Sequence, residues 1–128
     1  MIYGIGTDLI ETSRFKEILR ENNTKFLYRV FSEQEITYCR KGAQVDTQAQ
    51  CFAARFAAKE AFLKALGTGL GHGLRWKDIE IINDSSGKPL LKFSNQAEQI
   101  VQDAHIEHVH VSLSHTVSQA SAIVILEK

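Results

Sequence analysis

The spacing of apolar residues divides the chain into short strands and amphipathic helices. Ile2–Ile10 is small and apolar and predicts a first strand ending near Asp8. Thr12–Glu21 predicts a helix, with Phe15, Ile18 and Leu19 at i, i+3, i+4 and Arg14, Lys16, Glu17, Arg20 and Glu21 on the opposite face. A second short helix is predicted from Ser32, because Ser32-Glu-Gln-Glu35 spells a capping box. Lys41–Gln50 is polar and reads as a loop. Cys51–Leu66 carries the strongest helical pattern. Phe52, Phe56, Leu63 and Leu66 make a stripe, alanines raise the propensity, and Gly67 is a natural stop. Asp78–Asn83 and Leu90–Phe93 predict a hairpin around Asp84-Ser-Ser-Gly-Lys88. Asn95–Glu107 predicts a helix with Asn95 and Glu98 as capping partners. His108–His115 alternates, with Val109, Val111 and Leu113 on one face and His108, His110, Ser112 and Ser114 on the other. Gln119–Leu126 closes the chain as a largely buried strand. This mixture predicts an α+β fold, a single compact domain over 1–128 with helices over a mainly antiparallel sheet.

Composition narrows the classes. The chain has 128 residues, 44% hydrophobic and 23% charged, which is ordinary for one globular domain. Lys plus Arg and Asp plus Glu each number 15, so no cationic excess marks a nucleic-acid binder. No internal repeat or low-complexity segment interrupts the pattern. Two cysteines, Cys39 and Cys51, are too few for a disulfide framework and read as free thiols of a cytoplasmic protein. The N-terminus has no cationic region before Asp8, so no signal peptide is expected. The longest apolar run, Ala120–Leu126, is too short for the ~20 residues of a membrane span.

Four features bear on chemistry. Ala53, Ala57, Glu60 and Lys64 recur at i+4, i+3, i+4 and share a helix face that a ligand could cover; a surface Glu–Lys pair has the same spacing. Asp8 ends an apolar strand. With Glu60 it could form a Mg²⁺ site completed by phosphate oxygens, although spacing alone cannot bring the two together. The loop Gly67-Thr-Gly-Leu-Gly-His-Gly73 follows a helix C-terminus and lacks a closing Lys-Ser/Thr. It therefore does not read as a phosphate-binding P-loop, and a phosphate near this end would have to be met by Lys64 or another cation. His115 stands among hydroxyls in Ser112-Leu-Ser-His-Thr116. His108 and His110 lack a third metal ligand and read as a polar strand face.

Taken in order, Gly4-Ile-Gly-Thr-Asp8, Arg55-Phe-Ala-Ala-Lys-Glu-Ala61 with Lys64, Trp76-Lys-Asp-Ile-Glu80, Gly87-Lys-Pro89 and His110-Val-Ser-Leu-Ser-His-Thr116 resemble the holo-[acyl-carrier-protein] synthases. These are the short bacterial 4′-phosphopantetheinyl transferases. The resemblance spans nearly the whole chain. It implies a Mg²⁺-dependent transfer of phosphopantetheine from coenzyme A to a serine of acyl carrier protein, in fatty-acid biosynthesis. Adenosine 3′,5′-bisphosphate would leave. It implies that Asp8 and Glu60 hold the metal and that Asp8, Glu60 and Lys64 carry the chemistry. It also implies that Arg55, Lys64, Gly67, Pro89, His115 and Thr116 line the coenzyme A site, partly from a neighbouring subunit of a homotrimer. Arg14, Lys25 and Arg29 would then meet the acidic carrier protein. Glu60, or a metal-bound water it polarises, is the implied base. Three other readings stay open: a transferase of broader carrier specificity, a non-catalytic coenzyme A-binding module, and a structural oligomer that binds metal through His108 and His110.

Overall fold

The structure, a computed structural model, describes Met1–Lys128. In chain order the elements are β1 (Ile2–Glu11), α1 (Thr12–Arg20), α2 (Thr24–Val30), α3 (Glu33–Cys39) and α4 (Val45–Leu66). A 3₁₀ turn at Trp76–Asp78 then leads to β2 (Ile79–Asn83), β3 (Pro89–Phe93), α5 (Asn95–Asp103), β4 (His108–His115) and β5 (Gln119–Glu127). β1, β5 and β4 form an antiparallel sheet in that order, and β2 and β3 form a separate antiparallel hairpin. The α+β class stands, with the sheet in two pieces.

α4 is the axis of the fold. One end of it packs on β1 and β5 in a core that includes Ala58, Phe62, Ile81, Val124 and Leu126. The other end meets α1–α3 in an aromatic core of Phe15, Phe31, Phe52 and Phe56. The predicted single apolar stripe is therefore too narrow, because α4 is buried on several sides. β1 reaches α4 through its glycines. Alternation along β1 turns Gly4, Gly6 and Asp8 toward the helix, and a Cβ at Gly6 or Gly4 would collide with the carbonyl oxygen of Ala61 or Ala65. Gly6→Ala is accordingly expected to cost at least about 1–3 kcal/mol, since backbone must move. A urea-denaturation midpoint equal to that of the unaltered chain would refute this close approach.

Several predicted elements change on folding. α4 begins at Val45, so more than half of the expected Lys41–Gln50 loop is helical. Only Ala49 in that added turn is fully buried, which left little apolar period to read. α2 has no counterpart in the predicted pattern. It is a seven-residue helix capped by the Asn23 side chain, with Leu27 and Val30 buried. α5 ends at Asp103, and the expected Asn95–Glu98 cap does not form. Asn95 instead adopts φ 50° and donates from Nδ2 to the buried Asp78 carboxylate at 2.9 Å. The capping box at Ser32 and Glu35 and the stop at Gly67 form as predicted. The cysteines are not free. Cys39 and Cys51 are joined in a disulfide, their Cα atoms 5.4 Å apart. Neither spacing nor composition signals this pairing, because it depends on α3 folding back beside the second turn of α4. No helix is long and apolar enough to cross a membrane.

Candidate active site

Asp8 comes to the site from the inward face of β1, and Glu60 and Lys64 come from α4. The Lys64 Nζ donates to Asp8 Oδ1 at 2.9 Å and to the Thr7 carbonyl at 3.0 Å. The side chain of Lys64 stays 54% exposed, so its charge can still meet an incoming anion. Asp8 Oδ2 is buried and accepts no hydrogen bond. Burial raises the Glu60 carboxyl above the usual carboxylate range, and the Asp8 charge raises it further, against Lys64 and Arg14. Two carboxylates that repel each other, one with an orphaned buried oxygen, fit a hard divalent cation. No three His, Cys, Asp and Glu side chains converge anywhere in the chain, so any such cation would need oxygens from a ligand.

The alanine floor is not open as expected. Ala53 and Ala57 are fully buried inside the two cores. What remains is a cleft lined by Glu60, Leu63, Lys64, Gly67, Gly69, Leu70 and Trp76. Gly67 thus joins the predicted group, and Trp76 adds an aromatic wall. Arg14 lies at the edge of this cleft, over the Phe56 ring at 5.1 Å and close enough to Glu60 to lower its proton affinity. Arg29 is elsewhere, in an adjoining groove with Tyr28, Leu70, Leu74, Arg75, Trp76 and Lys77. Lys25 is exposed at the start of α2 and lines neither.

Arg55, Pro89 and His115 meet in a second cleft of about 510 Å³, which shares no lining residue with the first. Arg55 is 4% exposed, stacks over the Tyr38 ring at 4.3 Å and donates from Nη2 to Asn83 Oδ1 at 2.6 Å. Its Nε is buried without a partner. Lys41 and Gln50 complete the polar wall. A buried guanidinium with an unused donor, next to Lys41 and His115, suits a phosphate. Thr116 is not part of this wall. Its hydroxyl accepts from the Gln119 backbone N–H at 3.1 Å in the β4–β5 turn.

The family model of the 4′-phosphopantetheinyl transferase superfamily matches residues 4–123. This chain belongs to that superfamily. The transferase is 47% identical over 128 residues to the holo-[acyl-carrier-protein] synthase of Geotalea daltonii, covering 100% of both chains. It superposes on a holo-(acyl-carrier-protein) synthase from Bacillus anthracis in complex with CoA (3′,5′-ADP), with TM-score 0.79 and 38% identity. That match covers 98% of this chain and 96% of the other. Against the Helicobacter pylori holo-[acyl-carrier-protein] synthase in complex with coenzyme A the TM-score is 0.82 at 30% identity, over 96% and 99% of the two chains.

Sequence reasoning missed a group that holds the transferase's first cleft in shape. Lys59, next to Glu60, is fully buried. Its Nζ donates to Glu35 Oε1 at 2.8 Å, to Val30 O at 2.9 Å and to Trp76 O at 3.0 Å. Glu35 Oε2 accepts from the Ile81 backbone N–H at 3.1 Å. Burial lowers the Lys59 pKa, and the Glu35 charge opposes that shift. Lys59 stands in the quoted Lys-Glu-Ala motif and Glu35 in the capping box, yet nothing in either motif pairs them.

Proposed function

We propose that this transferase moves 4′-phosphopantetheine from coenzyme A to a serine of acyl carrier protein, with Asp8, Glu60 and Lys64 at the reacting end. The unpartnered buried oxygen of Asp8 beside a carboxyl of raised pKa carries this reading. Asp8 and Glu60 are the residues that would hold Mg²⁺. When bound, the ion would neutralise charge on the pyrophosphate of coenzyme A and on its leaving group. Lys64 offers a point cation to the same oxygens. Glu60, or a water that it polarises, takes the serine proton as the serine oxygen bonds to the phosphorus nearer the pantetheine. The bond from that phosphorus to the adenosine 3′,5′-bisphosphate oxygen breaks, and the bisphosphate departs. The residues contribute positioning and charge, which is what phosphoryl transfer mainly requires.

The Arg55 cleft is assigned to the nucleotide end of coenzyme A. The rest of the site is completed by a second protomer of a homotrimer. The outer face of the three-stranded sheet supports this, because Ile5, Leu9 and Ile123 are exposed there at 56%, 60% and 42%. Sedimentation should give a trimer. Arg14, beside Glu60, and Arg29, in the adjoining groove, face an acidic carrier protein approaching the serine's site. Arg29→Glu is expected to raise KM for the carrier protein by up to about tenfold and leave KM for coenzyme A unchanged. Equal shifts in both would make the docking assignment wrong. The direct test of function is mass spectrometry of apo carrier protein after incubation with the transferase, coenzyme A and Mg²⁺. The expected gain is one phosphopantetheine. No gain would leave a coenzyme A-binding module without chemistry. Comparing acceptors from fatty-acid and peptide synthases would measure carrier breadth.

A further inference from the structure

The disulfide borders the Arg55 cleft. We propose that Cys39–Cys51 is a thiol–disulfide exchange site whose reduction weakens coenzyme A binding; this rests on the assignment of that cleft to the nucleotide. Both cysteines line the cleft, with Cys39 buried and Cys51 half-buried, so Cys51 offers the reachable sulfur. The chain between them, spanning a sequence separation of 12, supplies Lys41, Gly42, Thr47 and Gln50 to the wall. Within that span, Gln48 Nε2 donates to the Gly42 carbonyl at 2.9 Å. The bond therefore ties both ends of a wall segment that provides one of the cleft's cations. Arg55 Nη1 lies 3.5 Å from Cys51 Sγ, where its charge favours a thiolate.

The exchange takes a dithiol reductant. One of its thiolates attacks Cys51 Sγ, the Cys39–Cys51 bond breaks, and Cys39 leaves as a thiolate and takes a proton from solvent. The reductant's second thiolate then attacks its own sulfur in the mixed disulfide, and Cys51 leaves as a thiolate beside Arg55. The dithiol gives up two electrons and ends as a disulfide. Two consequences act in the same direction. The wall segment, released at both ends, must be ordered again by each nucleotide that binds. The Cys51 thiolate also offsets the Arg55 charge that would otherwise face phosphate. Asp8, Glu60 and Lys64 lie outside the segment, so the chemical step is untouched.

The test compares full-length transferase treated with oxidised or reduced dithiothreitol, with free thiols counted by maleimide labelling. Reduction is expected to expose two thiols and raise KM for coenzyme A about tenfold, equivalent to ordering one or two more side chains on binding. The value of kcat should hold, and reoxidation should restore KM. The double variant Cys39→Ala/Cys51→Ala should show the reduced KM and ignore the reductant. The same KM in both redox states of the wild type, or a response that persists in the double variant, overturns the proposal. Two free thiols that resist oxidation overturn it as well. The wild-type comparison needs no variant to fold. Absence of turnover in both states would instead overturn the transferase reading itself.

Discussion

Glu60→Ala is expected to lower transfer by about three orders of magnitude or more while the chain stays folded, because a base and a cation ligand are lost together. Its stability should not fall. A carboxyl whose folded pKa is raised carries no penalty below its ordinary value, and acquires one as pH rises through the folded value. At neutral pH the wild type bears that penalty, from burial and from Asp8, so its removal relieves the fold. Turnover of Glu60→Ala within tenfold of wild type would defeat the assignment. The wild type supplies an independent check. The acid limb of its kcat/KM profile, taken at limiting Mg²⁺ so that it reports the free, metal-free enzyme, should lie above the ordinary carboxylate range. As pH falls through the raised pKa, Glu60 gains a proton and can neither accept the serine's nor hold a cation. In kcat, which reports the loaded enzyme, the same limb should move to lower pH. A limb at the same ordinary carboxylate pH in both quantities would mean that Glu60 does not govern activity.

Lys59→Met should produce the largest loss of stability, about 3–5 kcal/mol, because it strands a buried carboxylate. Glu35 would keep its backbone partners at Ser32 and Ile81 and lose its only salt-bridge partner. Val30 O and Trp76 O would lose their donor as well. For a fold stable by about 5–15 kcal/mol this is a large share, visible as a lower urea midpoint. Adding Glu35→Gln should recover part of the loss by removing the stranded charge. A change below about 1 kcal/mol in Lys59→Met, or no recovery in the double variant, would refute the role of the pair. Trp76 walls the Glu60 cleft, so the surviving folded fraction should also show altered turnover.

Local pattern carried the elements whose signals are local. The alternation of β4, the capping box at Ser32 and the stop at Gly67 depend on neighbours within a few residues, and each formed. α2 escaped because seven residues offer too short a period, and the first turns of α4 escaped because their polar composition resembles a loop. The ordered motifs also brought Asp8, Glu60 and Lys64 into view before any geometry did. Spacing could not show that Asp8 faces α4. That follows from β1 packing on the helix through Gly4 and Gly6.

The sequence by itself determined the α+β class, most element boundaries, the family and the candidates Asp8, Glu60 and Lys64, because periodicity and motifs are written along the chain. Tertiary structure alone decided four things. It buried the alanine floor, divided the candidate residues between two clefts, joined Cys39 to Cys51, and paired Lys59 with Glu35. Each is a contact between residues distant in sequence or a solvent exposure set by other elements. Such contacts depend on how α4 is surrounded, and no periodicity along one segment records that.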